Sequence, residues 1–255
     1  MTRKSYAKVN IFLKIAGKRD NYHELVSRFV RVQNLFDTIT FEKGSFQEFT
    51  LKGNFGCTTQ QNTIYKAYVK LSAISSKVEE FFSRYKTTVD KKIPEFAGLG
   101  GGSSNCAVFM LMVNEVCNLG LSKDQLCNIA VTIGADVPFF IYEYNSANVT
   151  GIGEVVKHFD EDVLDIQTFT PSVECNTGLI FKSFRDNHYK EISDEASKTL
   201  LNMKSIDIYN SMDIDEANDL YKPALENYSE LTPENYSLPI NCYFSGSGSS
   251  FFYIN

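Results

Sequence analysis

The chain has 255 residues, 43% of them hydrophobic and 22% charged, and a formal net charge of −6, which is enough to bury the core of two ordinary domains. The acidic balance disfavours a polyanionic partner, so no nucleic acid is expected. No apolar run approaches the roughly 20 residues of a membrane helix, so no membrane is expected either. Met1-Thr2-Arg3-Lys4-Ser5-Tyr6 leads into an alternating segment, not a signal-peptide block, and the expected location is the cytoplasm.

Val9, Ile11, Leu13 and Ile15 alternate in period two, which predicts a half-buried strand over 9–15 with Lys8 and Asn10 together on its other face. Residues 17–23 read as a turn. Residues 24–36, 37–42 and 45–53 read as three further strands, an antiparallel start. A helix is predicted over 61–75, with Asn62 or Thr63 as its start signal, and a strand over 87–93. GLGGGSSN, residues 98–105, places four glycines in five positions and then runs into the apolar stretch Cys106–Val113. That predicts a helix over about 104–118, stopped near Gly120. Ser122-Lys123-Asp124-Gln125 fits a capping box, opening a helix that ends near Gly134.

VPFFIY, residues 137–142, reads as a short strand with Pro138 at its beginning. A strand is predicted over 164–171 and a helix over 193–203 with Ser193 as cap. Residues 215–231 read as helical in parts, interrupted by Pro223. NCYF and SFFYI, around SGSGS at 245–249, read as a hairpin with a glycine loop. Strands and helices mix without a regular βαβ repeat, so the class is α+β in two lobes, 1–152 and 153–255. The six cysteines form no C-x-x-C pair and read as reduced, small hydrophobes. His23, His158 and His188 are too scattered for a zinc site.

The glycine cluster is the most informative stretch. A helix leaves its first N–H groups without partners, and its dipole is positive at that end. A phosphate placed there answers both. Glycines just upstream let amides turn towards the anion and let the backbone approach it. Ser103 and Ser104 add hydroxyls. The spacing is neither G-x-x-x-x-G-K-[ST] nor G-x-G-x-x-G, which excludes a P-loop, a dinucleotide fingerprint and a protein-kinase loop. A flexible connector is the bland alternative.

The pattern from Pro94 to Asn105, P-x-x-x-G-L-G-G-G-S-S-N, resembles the signature of the galactokinase, homoserine kinase, mevalonate kinase and phosphomevalonate kinase (GHMP kinase) superfamily. Within it, AKVNIFLKIAGKRDNYHEL (7–25), GADVPFFI (134–141) and SGSGSSFF (245–252) resemble the 4-diphosphocytidyl-2-C-methyl-D-erythritol kinases. The family commonly has glycine where this chain has Phe96. The resemblance implies a two-lobed GHMP-kinase fold, the N-terminal lobe like a ribosomal-protein domain and the C-terminal lobe ferredoxin-like. It implies ATP-dependent phosphorylation of the 2-hydroxyl of a cytidine-diphosphate-linked methylerythritol in the non-mevalonate isoprenoid route, with Mg²⁺.

The resemblance also assigns roles. Asp136 is the expected general base and Lys8 its partner, since a nearby ammonium favours an ionised carboxylate. Without the resemblance, Asp136 reads as a turn or cap residue and Lys8 as a solvated lysine. Pro94, Glu95, Phe96, Ala97, Gly98, Leu99, Gly100, Gly101, Gly102, Ser103 and Ser104 form the expected ATP loop, with Asn62 and Lys91 reaching the nucleotide and Ser104 helping to hold the metal. Asn10 addresses the substrate with Lys8. Tyr22 stacks on the cytosine, His23 makes polar contacts, and Thr177 and Phe181 complete that pocket. Gly246 and Gly248 let the last loop approach the site. The alternatives are another kinase of the superfamily, a catalytically silent nucleotide-binding protein, and an RNA-binding module, which the acidic balance opposes.

Overall fold

The computed structural model describes residues 1–19 and 22–255. Its elements in chain order are β1 Thr2–Arg19, β2 Tyr22–Lys43, β3 Leu51–Lys52, α1 Thr63–Ser72, α2 Ser76–Phe82, β4 Tyr85–Asp90, α3 Gly101–Val116, α4 Lys123–Ala130, α5 Val137–Tyr142, β5 Ser146–Gly151, β6 Val155–His158, β7 Ile166–Phe169, α6 Thr177–Ser183, α7 Asp194–Asn202, α8 Ser205–Ser211, α9 Ile214–Ala217, α10 Tyr221–Asn227, β8 Tyr243–Phe244 and β9 Phe251–Ile254. The class is the expected α+β. The chain forms two compact units, and they interleave in sequence. One comprises 1–7, 35–93 and 101–143; the other comprises 8–34, 94–100 and 144–255. Residues 152 and 153 both lie in the second, since β1 and β2 each supply residues to both units.

In the first unit, Thr38–Lys43 of β2 pair antiparallel with β4, Thr38 opposite Asp90 and Lys43 opposite Tyr85. The short β3 joins β4 in parallel, Leu51 opposite Thr87. Phe41, Phe82 and Phe109 form an aromatic core, with Phe41 edge-on to both other rings and Phe82 stacked on Phe109 at 5.5 Å. Offset and edge contacts of this kind are the favoured ring geometries. α3 buries Cys106, Ala107, Phe109, Met110, Met112 and Val113, so most of its surface faces the core, as in an interior helix. That fixes its N-terminus in place.

In the second unit, β1 pairs with β2. Leu25–Val30 of β2 pair antiparallel with β5, Leu25 opposite Gly151, and β5 pairs with β6. A separate sheet has the order β7-β9-β8. Leu13, Ile15, Ile180, Phe184, Phe244 and Phe251 share one core. Arg28 is 0% exposed. Its guanidinium lies 3.4 Å over the Phe159 ring, donates to Asn148 and to the carbonyls of Leu201 and Met203, and lies 3.7 Å from Glu161. Burial lowers its pKa to about 10, so it stays charged at neutral pH and ties the C-terminus of α7 to β2.

Several expectations change. Residues 24–36 and 37–42 are one strand, β2, because neither Gly nor Pro interrupts the run. Only Leu51–Lys52 of 45–53 is strand. VPFFIY is the helix α5, not a strand. Val137–Ile141 are all buried, so the run carries no period to read, and Pro138 sits in the first helical turn, where its missing N–H costs nothing. α3 starts at Gly101, earlier than 104. The interruption in 215–231 falls at Asn218, not Pro223. Asn218 turns its side chain to Phe244 O, Gly246 O and Leu220 N, each at 2.9 Å, and Pro223 is tolerated near the start of α10. Part of the turn expected over 17–23, Asp20 and Asn21, lies outside the described residues. All six cysteines are free thiols; burial pushes the Cys106 thiol up to about 12, as an inert core residue requires.

Candidate active site

The strand β1 alternates as expected, but both of its faces are buried from Ala7 to Leu13. The polar face holds the candidate residues. Lys8 is 3% exposed and Asn10 is 1% exposed. A buried ammonium is costly unless hydrogen-bonded. Lys8 Nζ donates to Asn10 Oδ1 at 2.7 Å and lies 4.6 Å over the Phe29 ring. Asn10 Nδ2 donates to Ser27 Oγ at 2.9 Å, and Ser27 Oγ donates to the Phe12 carbonyl at 2.5 Å. The backbone of Lys8 also donates to Leu99 O at 3.0 Å, which ties the strand to the glycine loop.

The loop itself is shaped by two left-handed glycines, Gly98 at φ +73° and Gly100 at φ +70°, a conformation open to glycine at little cost. Ala97 and Leu99 are buried, whereas Phe96 is 56% exposed at φ +53°. The last loop holds this one. Ser250 N donates to Ala97 O at 3.1 Å and Ser245 Oγ donates to Gly98 O at 3.0 Å. A Cβ at Gly98 would meet Ser245 O at 2.0 Å. Gly246 lies against Gly98 and, at 3.5 Å from its Cβ position, Asn10 Oδ1. Gly246, at positive φ, therefore serves close packing of two loops within the second unit, whereas a Cβ at Gly248 would meet the Phe244 ring at 2.2 Å. Thr177 Oγ1 shares a 2.8 Å hydrogen bond with Ser247 Oγ, so α6 is tied to the same loop.

In the first unit Gly101, Gly102, Ser103 and Ser104 make the first turn of α3, which offers free amides. Gly102 is exposed, and its carbonyl accepts from Thr63 Oγ1 at 2.7 Å. Ser104 is 1% exposed and accepts from Ser5 Oγ at 2.7 Å; Ser5 also lies 2.8 Å from Asn105 Oδ1. Asn62 caps α1, accepting from Ile64 N at 2.9 Å, as the start signal predicted. Lys91 Nζ donates to Asp37 Oδ2 at 2.5 Å.

Asp136 also belongs to the first unit and precedes α5. It is a turn residue at the N-cap position of that helix, as one reading expected, but its side chain makes no capping hydrogen bond. Among the described residues no group of three or more His, Cys, Asp or Glu could hold a metal ion, and no helix is long and apolar enough to cross a membrane.

The aromatic candidates gather in the second unit. His23 is 8% exposed and Tyr22 is 63% exposed. The His23 ring stacks on Phe181, with centroids 5.3 Å apart and planes 20° apart, and meets Phe184 edge-on. Among the described residues, His23 Nε2 is buried with no hydrogen-bond partner. Burial, then Arg185 and Lys18, hold its pKa below the ordinary value, so the ring is neutral at pH 7. A buried, unmatched ring nitrogen costs free energy and favours a ligand that supplies the partner.

The second unit thus brings together Lys8, Asn10, Tyr22, His23, Thr177, Phe181 and the loop 94–100. The first holds Asn62, Lys91, Gly101–Ser104 and Asp136. Ser27, Asp37, Asn218 and Ser245 organise these residues and were missed. The available signal was a polar residue inside an apolar strand, as Ser27 is in Val26-Ser27-Arg28-Phe29.

Residues 62–144 match the family model described as the GHMP kinases N terminal domain. The chain is 51% identical over 255 residues to a 4-diphosphocytidyl-2-C-methyl-D-erythritol kinase of Sulfurimonas denitrificans, covering 98% of this chain and 95% of that one. It is 35% identical to a Campylobacter jejuni protein of the same name, with 99% of each covered. A crystal structure of 4-(cytidine 5'-diphospho)-2C-methyl-D-erythritol kinase superposes with a TM-score of 0.75 at 29% identity, covering 99% of this chain and 89% of that one. The Methanococcus jannaschii mevalonate kinase, 13% identical with a TM-score of 0.60 and 100% and 90% covered, shares the fold.

Proposed function

The chain belongs to the 4-diphosphocytidyl-2-C-methyl-D-erythritol kinase family, and from that premise we propose that it moves the γ-phosphoryl group of ATP to the 2-hydroxyl of 4-(cytidine 5'-diphospho)-2-C-methyl-D-erythritol. The observation that carries this reading is the end-to-end likeness to relatives of that name. The buried His23 Nε2 without a partner supports the cytidine end, because a base edge can supply the missing hydrogen bond. Mevalonate and homoserine have no base to offer. The pathway is the non-mevalonate isoprenoid route, and the location is the cytoplasm.

Asp136 takes the hydroxyl proton as the oxygen attacks the γ-phosphorus. Lys8 assists by polarising the hydroxyl, and the Lys8–Asn10–Ser27 hydrogen bonds fix its ammonium. In a loose transition state, aiming the hydroxyl matters as much as removing its proton. The loop 94–104 holds the phosphates through amides at Gly98–Ser104. Tyr22 and Phe181 flank the base, with Phe181 leaving its stack on His23, and Thr177 borders the pocket. Asn62 and Lys91 address the nucleotide.

Among the described residues no acidic cluster would cage a metal. This fits Mg²⁺, which keeps waters and takes oxygens from phosphates. When bound it neutralises charge on the β,γ-phosphates. From the chain it would take the Ser104 hydroxyl, which already accepts a bond from Ser5.

The test is turnover of purified protein with ATP and a panel of the cytidine substrate, mevalonate and homoserine. Phosphorus NMR should show a new phosphomonoester on the erythritol. ADP release with mevalonate or homoserine, and none with the cytidine compound, would sink the reading.

A further inference from the structure

Asp37 is 0% exposed, and its carboxylate accepts three hydrogen bonds. Lys91 Nζ is at 2.5 Å, Lys92 N at 2.6 Å and Ile93 N at 2.8 Å. One oxygen holds the ammonium and the other holds the backbone. The Lys91 side chain is 9% exposed. A Cβ placed on Gly101 would come 3.4 Å from Lys91 Nζ and 2.9 Å from Ile93 Cγ2. The ammonium therefore lies against the first residue of α3.

That position has the wrong sign for helix stability. The start of a helix is positive, and a lysine beside it is repelled. Asp37 compensates the ammonium, but one carboxylate does not also answer the free amides of a helix start. Two positive features held side by side with a single buried counter-charge call for a second anion. A glycine at 101 is also needed, because any side chain there would push Lys91 or Ile93 aside.

We propose that Asp37 is a positioning residue for nucleotide binding. It holds the Lys91 ammonium and the segment 91–93 at the start of α3, so that ammonium and amides meet the phosphates of ATP together. The identity of the ligand rests on the ATP reading above.

The experiment is calorimetric titration of the full chain with ATP. Asp37→Asn keeps an oxygen for the two amides and removes the negative charge that holds the Lys91 ammonium. It should weaken ATP binding about tenfold, the scale of one charge-assisted hydrogen bond, and leave binding of the cytidine substrate unchanged. Lys91→Met should weaken ATP binding similarly. The double variant should bind no worse than Lys91→Met alone, because Asp37 acts through Lys91. A purely structural role would instead give losses that multiply and that reach the other substrate. Unchanged ATP affinity in Asp37→Asn, or multiplying losses, overturns the proposal. Should Asp37→Asn not fold, unchanged affinity in Lys91→Met overturns it. Wild-type protein that binds ATP but phosphorylates no cytidine-linked polyol refutes the substrate reading alone; wild-type protein that binds no ATP refutes both.

Discussion

Asn10 accepts from the Lys8 ammonium at 2.7 Å through Oδ1 and donates to Ser27 at 2.9 Å through Nδ2. An amide with both ends engaged cannot rotate, so the ammonium is aimed by a residue two strand positions away. Ser27 is the hinge of that arrangement, being 0% exposed and itself bonded to Phe12 O. Ser27→Ala leaves the Asn10 amide without its buried acceptor. The expected cost is about 1–3 kcal/mol of stability, read from urea denaturation. In steady-state kinetics kcat should fall while KM for ATP stays constant. A variant with wild-type kcat would show that Lys8 needs no such support.

Asp136 stands at the start of α5 without capping it. Replacing the carboxylate by an amide of the same shape removes the proposed proton acceptor. Asp136→Asn should lower kcat by about 10²–10⁴-fold, the usual worth of a general base, in a variant whose circular dichroism shows it folded. Near wild-type turnover would remove the proposed base.

His23 gives the molecule an acid-sensitive point. Its pKa is held below the ordinary 6.5 by burial first, then by Arg185 and Lys18. The unfolded chain therefore binds this proton at a higher pH than the folded one. Stability from this residue is full above about 6.5 and is lost as pH falls towards the lowered folded value. His23→Gln cannot take up the proton. Denaturation midpoints at pH 8, 6 and 5 should show wild type losing ground to the variant on acidification. Parallel curves for the two proteins would refute the shift.

Local signals in the sequence carried much of this architecture. Alternation in β1, the Asn62 cap, the capping box at Ser122–Gln125 and the Ser193 cap all hold, because each is decided by residues within one turn or one strand. The terminal hairpin holds for the same reason. VPFFIY failed because a wholly buried run has no polar side to mark its period. The candidate residues stand out in the sequence as types in motifs, but their supports do not. Ser27 acts on a residue 17 positions away and Asp37 on one 54 positions away. Pairings of that reach arise from strand register and loop closure, which no local pattern encodes.

The glycines of the loop divide into two kinds, and alanine separates them. At Gly98, φ is +73° and a Cβ would meet the Ser245 carbonyl oxygen at 2.0 Å. Gly98→Ala must displace the last loop, so about 1–3 kcal/mol of stability should be lost through overpacking alone, together with ATP affinity. At Gly102 the nearest atom to a Cβ is Thr63 Oγ1 at 3.8 Å, and the residue is helical and exposed. Folding gives no reason for glycine there; alanine in a helix should add about 0.5–1 kcal/mol. On the proposed reading the bare backbone at 102 serves close approach of the ATP phosphates. Gly102→Ala should raise the melting temperature while weakening ATP binding, measured by calorimetry on the same preparation. A stabilised Gly102→Ala with wild-type ATP affinity would place the phosphates elsewhere than the first turn of α3.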